Sequence, residues 1–145
     1  MTVVVWDGVT LATDRAATDG AAKWATEKAW YHGQDEDRII VSGAGPLKSI
    51  LYMREWCKEG CIIDHFPVSQ LTHPCHFIVV SQVDGLYRYE DSHIRIMHGY
   101  EPCAFGEGRD VAHGALAMGA TAQQAVEAAN QFSAHCGLGV EEYRL

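Results

Sequence analysis

Residues 1–18 read MTVVVWDGVTLATDRAAT, and the reading of this stretch decides the fold. An apolar, β-branched run from Thr2 to Trp6 meets Asp7-Gly8, and a second extended run, VTLATDRAAT, returns. Asp and Gly both tolerate the positive φ of a tight two-residue turn, so strand–Asp-Gly–strand predicts a β-hairpin. Thr2 stands at its head, directly behind Met1. Removing Met1 would leave a free α-amine on a residue that carries its own hydroxyl, which pairs a base with a nucleophile in one residue.

The rest of the chain fits a self-sufficient globular protein. Its 145 residues are enough for one domain, 1–145, with a proper core. Net charge is −8, from 11 Lys+Arg against 19 Asp+Glu. No basic cluster interrupts that acidity, which disfavours nucleic acid and anionic membranes as partners. No apolar run reaches the length of a membrane span, and the N-terminus lacks the basic and apolar regions of a signal peptide. Cys57, Cys61, Cys75, Cys103 and Cys136 are odd in number, so the expectation is reduced thiols in a cytoplasmic compartment.

Four strands are expected before the first helix, ending with DRIIVSGAG at 37–45. The segment PLKSILYMREWCKEG follows at 46–60. Pro46 suits a first turn, and Leu47, Ile50, Leu51, Met53, Trp56 and Cys57 recur at helical spacing, with Gly60 as a C-terminal cap. After an irregular connection, HFIVVSQ, Asp84-Gly85 and LYRYE repeat the hairpin signal, and SHIRIMHGY and CAFGEG supply more strand. Two helices come next, the second opened by a Thr121/Gln124 capping box, and GVEEYRL closes as a strand. Without helical crossovers inside either β block, the sheets must be antiparallel. Two such sheets, each covered on one face by helices, make an α+β fold, a four-layer αββα sandwich.

With these elements in order, the chain resembles the proteasome β-subunit superfamily, closest to the HslV-type peptidases and the short proteasome-like proteins of phage and bacteria. The stretches that carry the likeness are TVVVWDGVTLATDRAAT, RIIVSGAG, DGLYRYED, AFGEGRDVAHGALAMGATAQQAVEAA and CGLGVEEYRL, collinear over nearly all of the sequence. The resemblance implies an N-terminal-nucleophile (Ntn) hydrolase, a threonine-type peptidase working without a cofactor on peptides or unfolded proteins. It also implies a homo-oligomeric assembly, with an ATPase as a possible partner. Thr2 falls on the family's nucleophile, Asp14 on the acid that orients a lysine, and Lys28 on that lysine, with Lys23 as the fallback. Gly43, or Ala44-Gly45, falls where a backbone amide stabilises the oxyanion. The chemistry is coherent, because an α-amine with a pKa of about 7.7–8.0 can act as a base at neutral pH. Two departures stand out. Glu107, between Gly106 and Gly108, replaces the family's Ser, and beside Thr2 its charge would favour the protonated amine. Ser133 and Cys136-Gly137-Leu138 replace its Asp and Ser-Gly-Gly.

Two other readings compete. The fold could persist with activity impaired, leaving a structural or interaction protein. Alternatively, Cys57, Cys61, His65, His73, Cys75 and His76 cluster within some twenty residues and could bind zinc, although their spacing matches no standard finger and Cys57 already belongs to a helix stripe. GEGRD at 106–110 lacks the glycine spacing and the lysine of a phosphate loop, and its Glu would repel phosphate.

Overall fold

The computed structural model describes residues 2–19 and 21–145. Its elements are β1 (Val3–Trp6), β2 (Leu11–Asp14), β3 (Ala16–Asp19), β4 (Ala22–Ala25), β5 (Ala29–His32) and β6 (Ile39–Ala44), then α1 (Leu47–Lys58). β7 (His76–Ser81), β8 (Gly85–Tyr89), β9 (Ile96–Gly99) and β10 (Cys103–Gly106) follow, then α2 (Arg109–Ala117), α3 (Ala122–Phe132) and β11 (Val140–Tyr143). The strands form a four-stranded sheet β10-β1-β2-β11, a β3-β4 ribbon and a five-stranded sheet β5-β6-β7-β8-β9. Every pairing is antiparallel.

Among the described residues six strands precede α1 where four were expected, because two of the extended runs break. The first breaks at Arg15: β2 stays in the four-stranded sheet while β3 turns away to pair with β4. Arg15 donates its N–H to Gly137 O (3.1 Å), and its carbonyl accepts from Thr26 N–H (2.8 Å) in register with the β3–β4 ribbon. The second break falls at 26–28, between the exposed β4 and the edge strand β5.

Both hairpin turns are shifted from their expected centres. Pairing of Trp6 with Leu11 makes Gly8-Val9 the central residues of the first turn. Asp7 closes that turn from outside: its Oδ1 accepts from Val9 N–H (3.0 Å) and Thr10 N–H (2.8 Å), and its Oδ2 accepts from Ala122 N–H (2.8 Å) at the start of α3. The second turn has three residues, 82–84, since Ser81 pairs with Gly85.

Alternation along the strands sorts the core. Val4, Trp6, Leu11 and Phe105 from one sheet pack with Ile40, Ile78, Val80 and Leu86 from the other. The opposite side chains of β1, Val3 and Val5, pack with Ala112, Ala122, Ala125, Val126 and Ala129 of α2 and α3. A third cluster joins Val41, Phe77, Val79, Tyr87 and Tyr89 to Ile50, Met53, Trp56 and Cys57 of α1. The period of two in β1 sends its alternate side chains to two different buried layers, while the period of about 3.6 gives each helix one buried stripe. Leu47 and Leu51, expected in the α1 stripe, lie on its exposed side. Thr121 and Gln124 form the capping box of α3.

Candidate active site

Thr2 sits at the entry to β1, only 3% exposed, with fully buried Asp14 at the end of the neighbouring β2. The Thr2 hydroxyl donates to Asp14 Oδ1 (2.7 Å) and accepts from Lys28 Nζ (2.7 Å), and Lys28 Nζ also donates to Asp14 Oδ1 (2.6 Å). Asp14 comes to Thr2 through the β1–β2 hairpin, while Lys28 arrives from the break before β5. A carboxylate buried this deeply must have its lone pairs filled. Val3 N–H fills one on Oδ1 (3.0 Å), and Ala16 N–H (3.3 Å) and Gly137 N–H (3.2 Å) complete Oδ2.

Lys28 is 6% exposed, and burial lowers its pKa from the ordinary lysine value while the Asp14 charge works in the opposite direction. Ser42 anchors the backbone of Lys28, its hydroxyl donating to Lys28 O (2.7 Å). Sequence reasoning passed over Ser42; the signal was a hydroxyl residue inside the otherwise apolar strand RIIV-S-GA. Lys23 is elsewhere, donating to Cys136 O (2.6 Å). The amide joining Cys136 to Gly137 therefore receives Lys23 on its carbonyl and offers its N–H to Asp14.

Thr2 and Lys28 lie on the wall of a cleft of about 910 Å³ that Gly43, Ala44, Gly45, Glu107 and Trp30 also line. A methyl at Gly43 would meet Ile50 Cδ1 at 2.3 Å and His76 O at 2.9 Å, so α1 packs on β6 through the missing side chain. Gly106, at φ +95°, brings its Cα against Thr2; a methyl there would lie 2.2 Å from Thr2 O. Gly108 N–H reaches Thr2 O at 3.4 Å and opens α2. Between them, Glu107 turns its carboxylate to His135 Nδ1 (3.4 Å), both side chains being about half exposed.

The alternative zinc ligands do not assemble. Among the described residues no group of three or more His, Cys, Asp or Glu is arranged to hold a metal ion. Cys57 and Cys75 are instead core residues, and all five cysteines are free thiols. No described helix is long and apolar enough to cross a membrane.

The arrangement of antiparallel sheets and helices is one that known structures share, among them proteasome-like proteins. The BPH protein of Thiobacillus denitrificans superposes over 100% of this chain and 97% of its own, with TM-score 0.70 and 17% identity. HslV from Trypanosoma brucei matches at TM-score 0.61 and 16% identity, over 98% of this chain and 97% of that one. A Gly-1 mutant of Anbu from Hyphomicrobium sp. strain MC1 matches at TM-score 0.76 and 13% identity, over 100% of this chain and 81% of that one. No family model and no curated protein matches the sequence. At these identities the likeness is one of fold.

Proposed function

We propose that this protein is a threonine-type peptidase or amidase whose nucleophile is Thr2, exposed as the N-terminal residue by removal of Met1, which lies outside the described residues. The observation that carries the reading is the Thr2 hydroxyl, held within 2.7 Å of both Lys28 Nζ and Asp14 Oδ1 on the wall of a substrate-sized cleft. In the processed chain the α-amine of Thr2 takes the hydroxyl proton as Oγ1 attacks an amide carbonyl. The Lys28 ammonium steadies the developing negative charge on Oγ1, and Asp14 holds that ammonium in line. Backbone N–H groups of 43–45 stabilise the tetrahedral oxyanion, which collapses to an ester as the proton passes from the amine to the leaving nitrogen. Water then hydrolyses the ester and regenerates Thr2. The residues required are all supplied by the chain, so no cofactor is assigned.

The three core clusters support a single-domain, four-layer α–β–β–α sandwich of the short proteasome-like type. On the resemblance of its sequence to the proteasome-like family, the chain works as a homo-oligomer on peptides or unfolded proteins, with an ATPase as a candidate partner; its reduced cysteines suit the cytoplasm, and its net charge of −8 suits neither nucleic acid nor an anionic membrane. One neighbour was solved as "Thiobacillus denitrificans BPH in complex with Epoxomicin", at TM-score 0.65 and 18% identity over 100% of this chain and 98% of that one. Epoxomicin is therefore the natural probe. Intact-mass spectrometry should find a chain beginning at Thr2 that gains the mass of epoxomicin, and Thr2→Ala should gain none. Retention of Met1 under all conditions, or equal labelling of Thr2→Ala, would refute the assignment.

Glu107 favours a second reading, an impaired hydrolase kept for its fold. Beside Thr2 its charge would favour the protonated, non-basic amine. A processed wild type that ignores epoxomicin, beside a Glu107→Ser variant that reacts, would establish that reading.

A further inference from the structure

The cleft that holds Thr2 and Lys28 near β5 continues across the sheet to a cluster that the hydrolytic chemistry does not use. There its wall is made by His76 at the start of β7, Arg88 on β8 and His98 on β9. His98 owes its place to a β-bulge: Leu86 pairs with Gly99 and Tyr87 with Met97, which leaves His98 as an extra residue on β9. A bulge re-aims the side chain it carries, and His98 Nε2 accepts a hydrogen bond from Arg88 Nη1. Glu90, which does not itself line the cleft, holds the rest of the Arg88 fork. Its Oε1 accepts from Arg88 Nε (3.0 Å) and lies 2.9 Å from Nη2 and 3.1 Å from His76 Nδ1. The three bases surround the Phe105 ring, whose centre is 5.4 Å from that of His98, 6.0 Å from that of His76 and 5.5 Å from the Arg88 guanidinium. Phe105 adjoins Gly106, which packs against Thr2, so one wall serves both sites. Arg109, at the start of α2, lines the cleft too, its Nη1 donating to Gly106 O (3.3 Å).

The charge of this wall is the reverse of the chain's. The protein has 19 acidic against 11 basic residues, whereas the described residues of the cleft wall include Lys28, Arg88 and Arg109 against a single acid, Glu107. Lys28 is committed to Asp14 (2.6 Å), and Glu107 lies 3.4 Å from His135 Nδ1. Arg109 has Asp110 at 3.8 Å on the exposed start of α2, where solvent screens the pair. Glu90 therefore balances Arg88 and two imidazoles at once. Burial, with the Arg88 charge adding to it, holds both His76 and His98 below the ordinary histidine value, while Glu90 works in the opposite direction. A partly enclosed guanidinium flanked by further N–H donors is the arrangement that recognises a carboxylate.

We propose that the β7–β9 end of the cleft is a carboxylate subsite, where Arg88, with His98 and Arg109, binds an acidic side chain or the C-terminal carboxylate of the peptide whose amide lies at Thr2. The subsite rests on the hydrolase reading for what fills the cleft, and it makes an acidic peptide the preferred substrate. Strands β6 and β8 are two spacings apart, about 10 Å, so the carboxylate belongs to a residue about one or two positions from the scissile bond.

Thr2→Ala has no nucleophile and so reads binding apart from turnover. Dye-labelled alanine pentapeptides are titrated against it by fluorescence anisotropy, ending in a free carboxylate or an amide, the amide series carrying one Glu or one Gln at each position in turn. At least one acidic peptide should bind about ten- to a hundredfold tighter than its neutral twin, as a charge-assisted hydrogen bond implies. The free-acid and Glu series tell which carboxylate is held. The advantage should vanish when Arg88→Gln is added to Thr2→Ala, shrink with Arg109→Gln, and survive Lys58→Gln, which lies outside the cleft. Equal affinity of acidic and neutral peptides for Thr2→Ala would overturn the proposal with no change to the cluster, and so would an advantage that both arginine variants keep. Epoxomicin labelling separates the two readings. A wild type that is labelled, beside a Thr2→Ala with no acidic preference, refutes the subsite alone; an acidic preference in a chain that epoxomicin ignores counts against the peptidase reading alone.

Discussion

Replacing Asp14 with Asn tests how strongly the buried charges at Thr2 depend on one another. Asp14 accepts hydrogen bonds from Thr2 Oγ1, Val3 N, Lys28 Nζ, Ala16 N and Gly137 N, and has no exposed surface. The amide is nearly isosteric, but one of its two heads becomes a donor. If the NH₂ faces Ala16 and Gly137, two buried N–H groups lose their acceptor; if it faces the other way, it meets three donors. Either orientation also removes the negative charge beside the buried Lys28 ammonium. Breaking a buried ion pair from one side costs about 3–5 kcal/mol, so Asp14→Asn should lose that much stability in urea denaturation at pH 7. The pH dependence has a definite sign. Burial already lowers the Lys28 pKa in the wild type, and Asp14 is what raises it. Without Asp14 it falls further, so the unfolded chain binds the extra proton over a wider range below the ordinary lysine value, and stability rises with pH across that range. The deficit of the variant should therefore shrink between pH 7 and pH 9.5. A second change, Lys28→Met, should recover much of it, since an absent pair costs less than a broken one. A loss below about 1 kcal/mol, or a double variant whose loss equals the sum of the singles, would refute the coupling.

Other consequences follow from the same geometry. Lys23→Met should free the Cys136–Gly137 amide, costing about 1 kcal/mol as one hydrogen bond and raising hydrogen exchange at Gly137, whereas Lys23→Arg should restore part of the protection. Gly43→Ala should destabilise by about 1–3 kcal/mol through overpacking, because the new methyl meets Ile50 and the His76 carbonyl; thermal unfolding would read this. Burial holds His76 and His98 below the ordinary histidine value, with Arg88 and each other opposing protonation and Glu90 favouring it. The unfolded chain thus takes up protons first, and stability should fall as pH drops below about 6.5. The drop in melting temperature between pH 7.5 and 5 should flatten in a His76→Gln/His98→Gln variant.

Local pattern carried much of the fold. The short apolar, β-branched runs Val3–Trp6 and Phe77–Val80 and the 3.6-residue spacing of Ile50, Met53, Trp56 and Cys57 depend on near neighbours, so the helices and antiparallel sheets were legible in order. The capping box at Thr121 and the glycine cap at Gly60 were legible for the same reason, since the partners lie within one turn. What the sequence could not decide was set by partners far along the chain. Arg15 marks the passage from β2 to the ribbon, its N–H bonded to Gly137 O and its carbonyl to Thr26 N–H, and no local signal announces either partner. Leu51 had the spacing of a core residue but faces outward, because the packing of α1 on β6 and β7 selects a narrower stripe. Lys28 was the expected partner of Thr2, with Lys23 as the fallback. They separate only because the ribbon leaves the sheet at Arg15, carrying Lys23 to the Cys136 carbonyl and leaving Lys28 to enter β5 beside Asp14. Short-range order in this protein was set by the periodicity of its side chains. The convergence of Thr2, Asp14, Lys28 and the Gly137 amide was decided by tertiary packing, which places a buried charge only where long-range partners can complete it.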